Sequence, residues 1–327
     1  MPIIRLKPHS IATLPHHPNI PEVPTGSNIQ GFVRATLEEA RPLLDQLPAT
    51  LEADSKLRPS PPSKAQVKLS QGWRTLPSRE GHFPSKEFWV CRESDHEDSN
   101  ALDGTASWSE FNDGLRTNHA EHEMEYTPSV TSVHQLLNWT DSELWNPNTS
   151  MLVSGTTYKQ FNIELNLIVH TFHPTVLIRP RAFISWSMSA AYNNGPYPAT
   201  RSDADCEEAQ PNGFITVQVP FKFYLAKPDA ADSQFKDLYA QIMQAVPPGT
   251  IFARYASVEH VKLLPPAASS ASADEGTRAS PRRQIRWTMA TTSEAAGGFR
   301  SGFKGVGCLG VCLRLLLLMW DCSLGGV

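Results

Sequence analysis

YKQFNIELNLIVHTF, residues Tyr158–Phe172, places Phe161, Ile163, Leu165, Leu167 and Val169 at every second position. That is the period of a β-strand with one apolar face. Working outward, Arg181–Tyr192 and Phe214–Tyr224 continue the pattern. In the latter, Ile215, Val217, Val219 and Phe221 share one face while Thr216 and Gln218 take the other, which predicts an antiparallel sheet with one side buried. Ile251–Leu264 and Gln284–Thr292 complete this region. Earlier in the chain, Gln66–Leu76 and Lys86–Ser94 read as strands, the second from its run Phe88, Trp89 and Val90. Val133–Trp139 is read as a strand, although periodicity alone does not separate strand from helix over so few residues.

Two helices accompany the strands. Phe32, Val33, Leu37, Ala40, Leu43, Leu44 and Leu47 recur at spacings of three and four, as a helix laid on a core requires, with Pro42 as the place for a kink. Trp108, Phe111, Leu115, His119, His122 and Tyr126 give a second helix over Thr105–Tyr126, begun by a threonine or serine cap. Leu57–Lys64 carries Pro59, Pro61 and Pro62 and reads as an extended linker.

The 27 prolines and several polar runs take much of the 327-residue length out of any packed core. One domain over residues 29–300 is therefore expected, after a flexible arm over 1–28 and interrupted by disordered polar insertions at 193–212 and 265–281. Val306–Trp320 is almost unbroken apolar sequence around Arg314, too short for a span of about 20 residues. That leaves a buried helix, an interfacial segment or an incorrect gene-model terminus as readings of 301–327, an atypical leucine-rich tail whose glycine and cysteine density favours the last.

Lysine and arginine total 29 against 33 acidic residues, so no net field draws the chain to nucleic acid or to an anionic membrane. Prolines and histidines occupy the first twenty positions where a secretory signal needs an apolar run. Cys91, Cys206, Cys308, Cys312 and Cys322 are odd in number and lack CxxC spacing, which suits free thiols in a reducing, cytoplasmic setting.

No GxSxG, GxxxxGK[ST] or strand-linked GxGxxG motif occurs, and no cofactor is expected. His119 and His122, among Glu121, Glu123 and Glu125, have the spacing of a metal pair without a third ligand; they read instead as histidines of a solvated helical face. Arg254, Glu259 and Arg286 are placed to form a cross-strand ion pair.

Several segments in order resemble a fungal protein family of unknown function assigned a START-like, helix-grip fold. They are Phe88–Ser94 with His96 and Glu97; Trp108–Phe111 with Leu115, His119, Glu123 and Tyr126–Pro128; Arg181–Phe183; Phe214–Pro220; Tyr255–Glu259; and Trp287–Thr292 with Ala296–Gly298. The resemblance covers roughly residues 32–300 and implies an α+β fold, a curved antiparallel sheet around a long carboxy-terminal helix. A cavity between them holds apolar ligands in relatives of the fold. After Gly298 this chain departs from the pattern and leads into the leucine-rich tail.

The expected function is non-catalytic binding or transfer of a lipid or other small hydrophobic ligand. Its cavity candidates are Trp89, Trp108, Phe183, Trp186, Val217, Val219, Tyr255, Glu259, Trp287 and Met289. Two alternatives stand beside it. One is an enzyme of the same superfold acting on a polyketide-like substrate through Glu259, Glu164 or His260, which a carboxyl titrating near neutrality would favour. The other is a protein-interaction scaffold using the arm or the 265–281 loop.

Overall fold

The computed structural model describes residues 2–20, 28–77, 84–173, 178–193, 211–222, 235–265 and 283–294. The elements run β1 (His9–Ser10), α1 (Ile29–Thr50), β2 (Glu52–Ala53), β3 (Arg58–Ser60), β4 (Ser63–Leu76) and β5 (Ser85–Glu97). Next come α2 (Trp108–Leu115), α3 (His119–Tyr126), β6 (Val130–Asn138), β7 (Met151–Val153), β8 (Thr156–His170) and β9 (Arg181–Tyr192). The last are β10 (Gly213–Lys222), α4 (Lys236–Ala245), β11 (Ile251–Phe252), β12 (Arg254–Leu264) and β13 (Gln284–Glu294). The long strands pair antiparallel in the order β2-β4-β5-β13-β12-β10-β9-β8-β6. This is the α+β class expected from the sequence, a large antiparallel sheet packed on helices.

Helix α1 begins where the Asn28 side chain accepts from the Gln30 N–H at 2.8 Å, a cap that satisfies one of the free donors of the first turn. It runs through both Pro42 and Pro48, and buries Val33, Leu37, Ala40, Leu43, Leu44 and Leu47. Each valine or leucine among them contributes about 1.5–3 kcal/mol on leaving water.

The expected single helix over Thr105–Tyr126 is two. Ser107 and Glu110 form a reciprocal capping box at the start of α2. Asn118, at φ 47°, then takes the left-handed conformation and breaks the path, so α3 starts afresh at His119. The stretch read as a linker over Leu57–Lys64 is also different in kind. Arg58 and Pro59 of β3 pair with Val67 and Gln66 of β4, around a turn holding a cis Pro61–Pro62 bond.

The expectation of a flexible arm over residues 1–28 is not met for residues 2–20. Ile4, Ile11, Leu14 and Ile20 are buried in the main core, and β1 pairs in parallel with the Phe221 end of β10. Side chains hold the backbone down as well: Glu87 accepts from the Leu6 N–H at 2.7 Å, Glu39 from the Ile4 N–H at 3.2 Å, and the Trp139 indole donates to His16 O at 2.9 Å. Beyond β1 and a 3-10 turn at Ile11–Thr13 the segment forms no regular element, yet Ile4, Ile11, Leu14 and Ile20 each pack into the core.

Most of the 193–212 and 265–281 insertions, and all of the 301–327 tail, lie outside the described residues. Among the described residues no helix is long and apolar enough to cross a membrane.

Candidate functional site on the polar face of the sheet

Directly opposed residues of paired strands share a face, so the registers sort every strand residue to one side of the sheet. One side is apolar. It carries Ile163, Leu165, Trp186, Met188, Val217, Val219, Val258, Ala290, Trp89 and Cys91, joined in one cluster with α1 and the amino-terminal segment. The Cys91 thiol lies in this layer, and burial pushes it up to about 12.

The other side is polar and is buried too. One row reads Asn162, Ser189, Thr216, Glu259, Met289 and Arg92 across β8, β9, β10, β12, β13 and β5. The next reads Glu164, Ser187, Gln218, Ser257 and Thr291. Asn166 faces Ser185 one pleat further on. The sequence predicted that only the Ile215–Phe221 side of β10 is buried; in fact Thr216 is 0% and Gln218 2% exposed. Alternation reports polarity and not solvent, so a covered polar face looks identical to a wet one in the sequence.

Helix α2 is stitched onto this face by two hydroxyls. Thr216 donates to Leu115 O at 3.0 Å and Ser189 to Arg116 O at 2.8 Å. Both take carbonyls at the helix end, which have no partner inside the helix.

That docking brings α3 over Glu259. His119 Nε2 stands 3.6 Å from Glu259 Oε1, and the Trp287 indole N–H donates to Glu259 Oε2 at 3.2 Å. The Arg92 guanidinium lies 4.6 Å above the Trp287 ring. Burial pushes the Glu259 carboxyl up to about 8, with the charge of Glu123 adding to it and the Trp287 bond and Arg92 opposing. Glu123, one helical turn beyond His119 and half-buried, is raised to about 7 by the protein around its carboxyl. His119 is driven down to about 4, by burial first and by His122 second. Tyr126 and Tyr255 are raised as well, chiefly by burial, with Glu123 and Glu259 near both.

His119 is thus not a histidine of a solvated face, as the sequence suggested, because the break at Asn118 turns the start of α3 into the sheet. His122 instead pairs with Glu125 at 3.4 Å near the surface. Among the described residues no cluster of His, Cys, Asp or Glu is arranged to hold a metal ion.

At the far end of the polar face, both oxygens of Glu164 accept from amides on their own strand: Asn162 Nδ2 at 3.1 Å and Asn166 Nδ2 at 2.9 Å. Ser257 Oγ donates to Gln218 Oε1 at 3.4 Å. Ser185, 2% exposed, has no hydrogen-bond partner for its hydroxyl.

The candidates named from sequence divide between the two sides. Phe183, Tyr255, Glu259, Trp287 and Met289 share the polar face, and Trp108 of α2 leans on Phe214 there at 5.7 Å. Trp89, Trp186, Val217 and Val219 point the opposite way, into the layer under α1, and cannot line the same space. His260 also lies on the apolar side, where its Nε2 meets the Tyr192 hydroxyl. The expected pairing of Glu259 with Arg254 or Arg286 is absent: Arg286 binds Asp95 through two nitrogens at 2.7 Å, and Arg254 pairs with Glu294 at 3.1 Å. Sequence reasoning missed His119, Glu123 and the serine ladder as site residues. Ser185, Ser187 and Ser189 at alternate positions of β9 were the available signal.

On the apolar side, a pocket of ≈160 Å³ lies between Pro8, Ile184, Phe221, Ile242 and Phe252. It falls well below the roughly 300–1,000 Å³ of a small-molecule site, so the polar face is the stronger candidate.

No curated protein matches this chain. Among solved structures, human StAR-related lipid transfer protein 5 has a similar fold at 12% sequence identity and a TM-score of 0.43, with 90% of this chain and 95% of that one covered. The family model described as protein of unknown function DUF3074 matches residues 89–299, spanning β9, β10, β12 and β13 and with them the whole Glu259 cluster. The chain belongs to the DUF3074 family.

Proposed function

We propose that this protein binds, without transforming it, a lipid or other small hydrophobic molecule that carries a polar group, held against the polar face of the sheet. The observation that carries the reading is the burial of that face. Serine, threonine, glutamine and glutamate side chains across β8, β9, β10 and β12 are taken out of water, and burying such groups is costly unless each finds a partner. Most of these groups bond to other protein groups, but the buried Ser185 hydroxyl has no partner, and a guest whose polar part meets this strip supplies one. Phe183, Tyr255, Trp287 and Met289 on the same face offer apolar contact to the rest of it, the usual make-up of a ligand site.

The test is mass spectrometry of small molecules extracted from the purified full-length protein, together with binding of fluorescent fatty acid and sterol to the extracted form. A stoichiometric co-purifying amphiphile, displaced by the probes, is the expected result. Absence of any bound molecule and of any probe binding overturns the reading.

A second reading, acid–base chemistry on such a guest, is favoured by one observation. Glu259 and Glu123 are placed to titrate near neutrality, at about 8 and about 7, where a group exchanges protons most effectively at working pH. Titration of ¹³C-labelled glutamate followed by NMR decides it. Two midpoints near neutrality, one of them lost in Glu259→Gln, support it, and ordinary carboxylate midpoints remove it.

A further inference from the structure

The Glu164 end of the polar face has a more specific chemistry than a generic polar head requires. Asn162 and Asn166 lie two residues to either side of Glu164 on β8 and donate one amide N–H to each of its oxygens. A carboxylate offers about four lone-pair sites, so one on each oxygen remains. Directly across on β9 stand Ser187, opposite Glu164, and Ser185, opposite Asn166. Gln218 follows on β10, beside Ser187. The staples that dock α2 use Thr216 and Ser189, one pleat away. Ser185 is the independent sign that something else is accommodated, since its hydroxyl is buried and has no hydrogen-bond partner.

We infer that this end of the face takes a polyol or glycosyl group, with two neighbouring O–H groups of the ligand donating to the remaining lone pairs of Glu164 and a further hydroxyl meeting Ser185. The inference rests on the reading that a guest occupies this face, and it names the class of guest. Hydroxyls fit because they both donate and accept. Glu164 takes donors only, while Ser185, Ser187 and the Gln218 amide work in both directions. An ammonium group donates only, and a hydrocarbon terminus leaves every one of these groups unmatched.

Three probes with the same chain separate the possibilities on the full-length protein: octyl glucoside below its micelle concentration, 1-octanol and octylamine, each titrated calorimetrically. Octyl glucoside binds at least about tenfold more tightly than octanol if two or more of these hydrogen bonds form, tenfold being about the worth of one good bond. Glu164→Gln and Ser185→Ala each erase most of that preference, weakening octyl glucoside more than octanol. Ser185→Ala removes only a hydroxyl without a partner, so it gives an answer even if Glu164→Gln fails to fold.

Equal binding of octanol and octyl glucoside overturns the inference and leaves the binding function standing, as does tightest binding of octylamine. A glucoside preference that survives both substitutions overturns it too. If none of the three binds and the fatty acid and sterol probes also fail, the binding function falls with it.

Discussion

Tyr192 and His260 meet in the apolar layer, hydroxyl to Nε2, with the Arg41 guanidinium 5.7 Å from the tyrosine ring. Burial first, then the charges of Arg41 and Lys262, push His260 down to about 3, so the imidazole is neutral around pH 7. Tyr192→Phe leaves a buried ring nitrogen without its partner, and a loss of about 1–3 kcal/mol in urea unfolding is expected. The same ring explains Gly213. A Cβ there would run into the Tyr192 ring, so Gly213→Ala forces the tyrosine aside and costs about 1–3 kcal/mol by overpacking. Thermal unfolding of the variant checks it, and an unchanged midpoint would show that the ring moves freely. At this scale part of the site was legible. Residues 259 and 260 are consecutive in a strand, so alternation already says that Glu259 and His260 cannot serve one cavity. What strand alternation does not give is the relation between strands. Val217 and Glu259 fall on opposite faces only because Thr216, not Val217, is the residue opposed to Glu259.

The elements were more legible where their periodicity is long. The stripe of α1 and the alternation of β8 both stand where the sequence put them, because each must bury one continuous face. The packed segment over residues 2–20 was not legible: Ile4, Ile11, Leu14 and Ile20 follow no helical or strand period. Deleting residues 2–20 withdraws four core side chains worth about 1.5–3 kcal/mol each, comparable to the whole stability of a domain at about 5–15 kcal/mol. The truncated protein is expected to lose its cooperative unfolding transition. Limited proteolysis gives the complementary readout, since an intact protein protects residues 2–20 and a loose arm would be trimmed at once. Helix α2 makes a smaller prediction. Ser107→Ala removes the acceptor for the Glu110 N–H and half of the capping box, for an expected loss of about 1 kcal/mol. Its consequence spreads beyond the helix, since α2 orients the start of α3 and so the approach of His119 to Glu259.

Across the molecule the two faces also set the response to pH. His96, His119 and His170 are pushed down to about 4 and His260 to about 3, with burial the largest cause in each. Below about 6.5 the unfolded chain takes up protons on these histidines that the folded one refuses, so stability is lost as the pH falls. Glu259 and Glu123 act with the opposite sign. Their carboxyls keep protons up to about 8 and about 7 in the folded state, while the unfolded ones ionise near about 4.3, so stability is lost as the pH rises through that window. Between about 4.3 and 6.5 the four histidines outweigh the two carboxyls, and above it the carboxyls act alone, which puts the stability maximum near about pH 6.5. Thermal midpoints from pH 4 to 9 should trace this dome, and Glu259→Gln should flatten its alkaline side; a midpoint still climbing at pH 9 would contradict it. The parallel pairing of β1 with β10 reaches further, into how the polypeptide is made. His9 and Ser10 are synthesised long before Phe221 and Lys222, so throughout that interval β1 has no strand to pair with. Pairing of β1 is therefore a late event, possible only once β10 is in place.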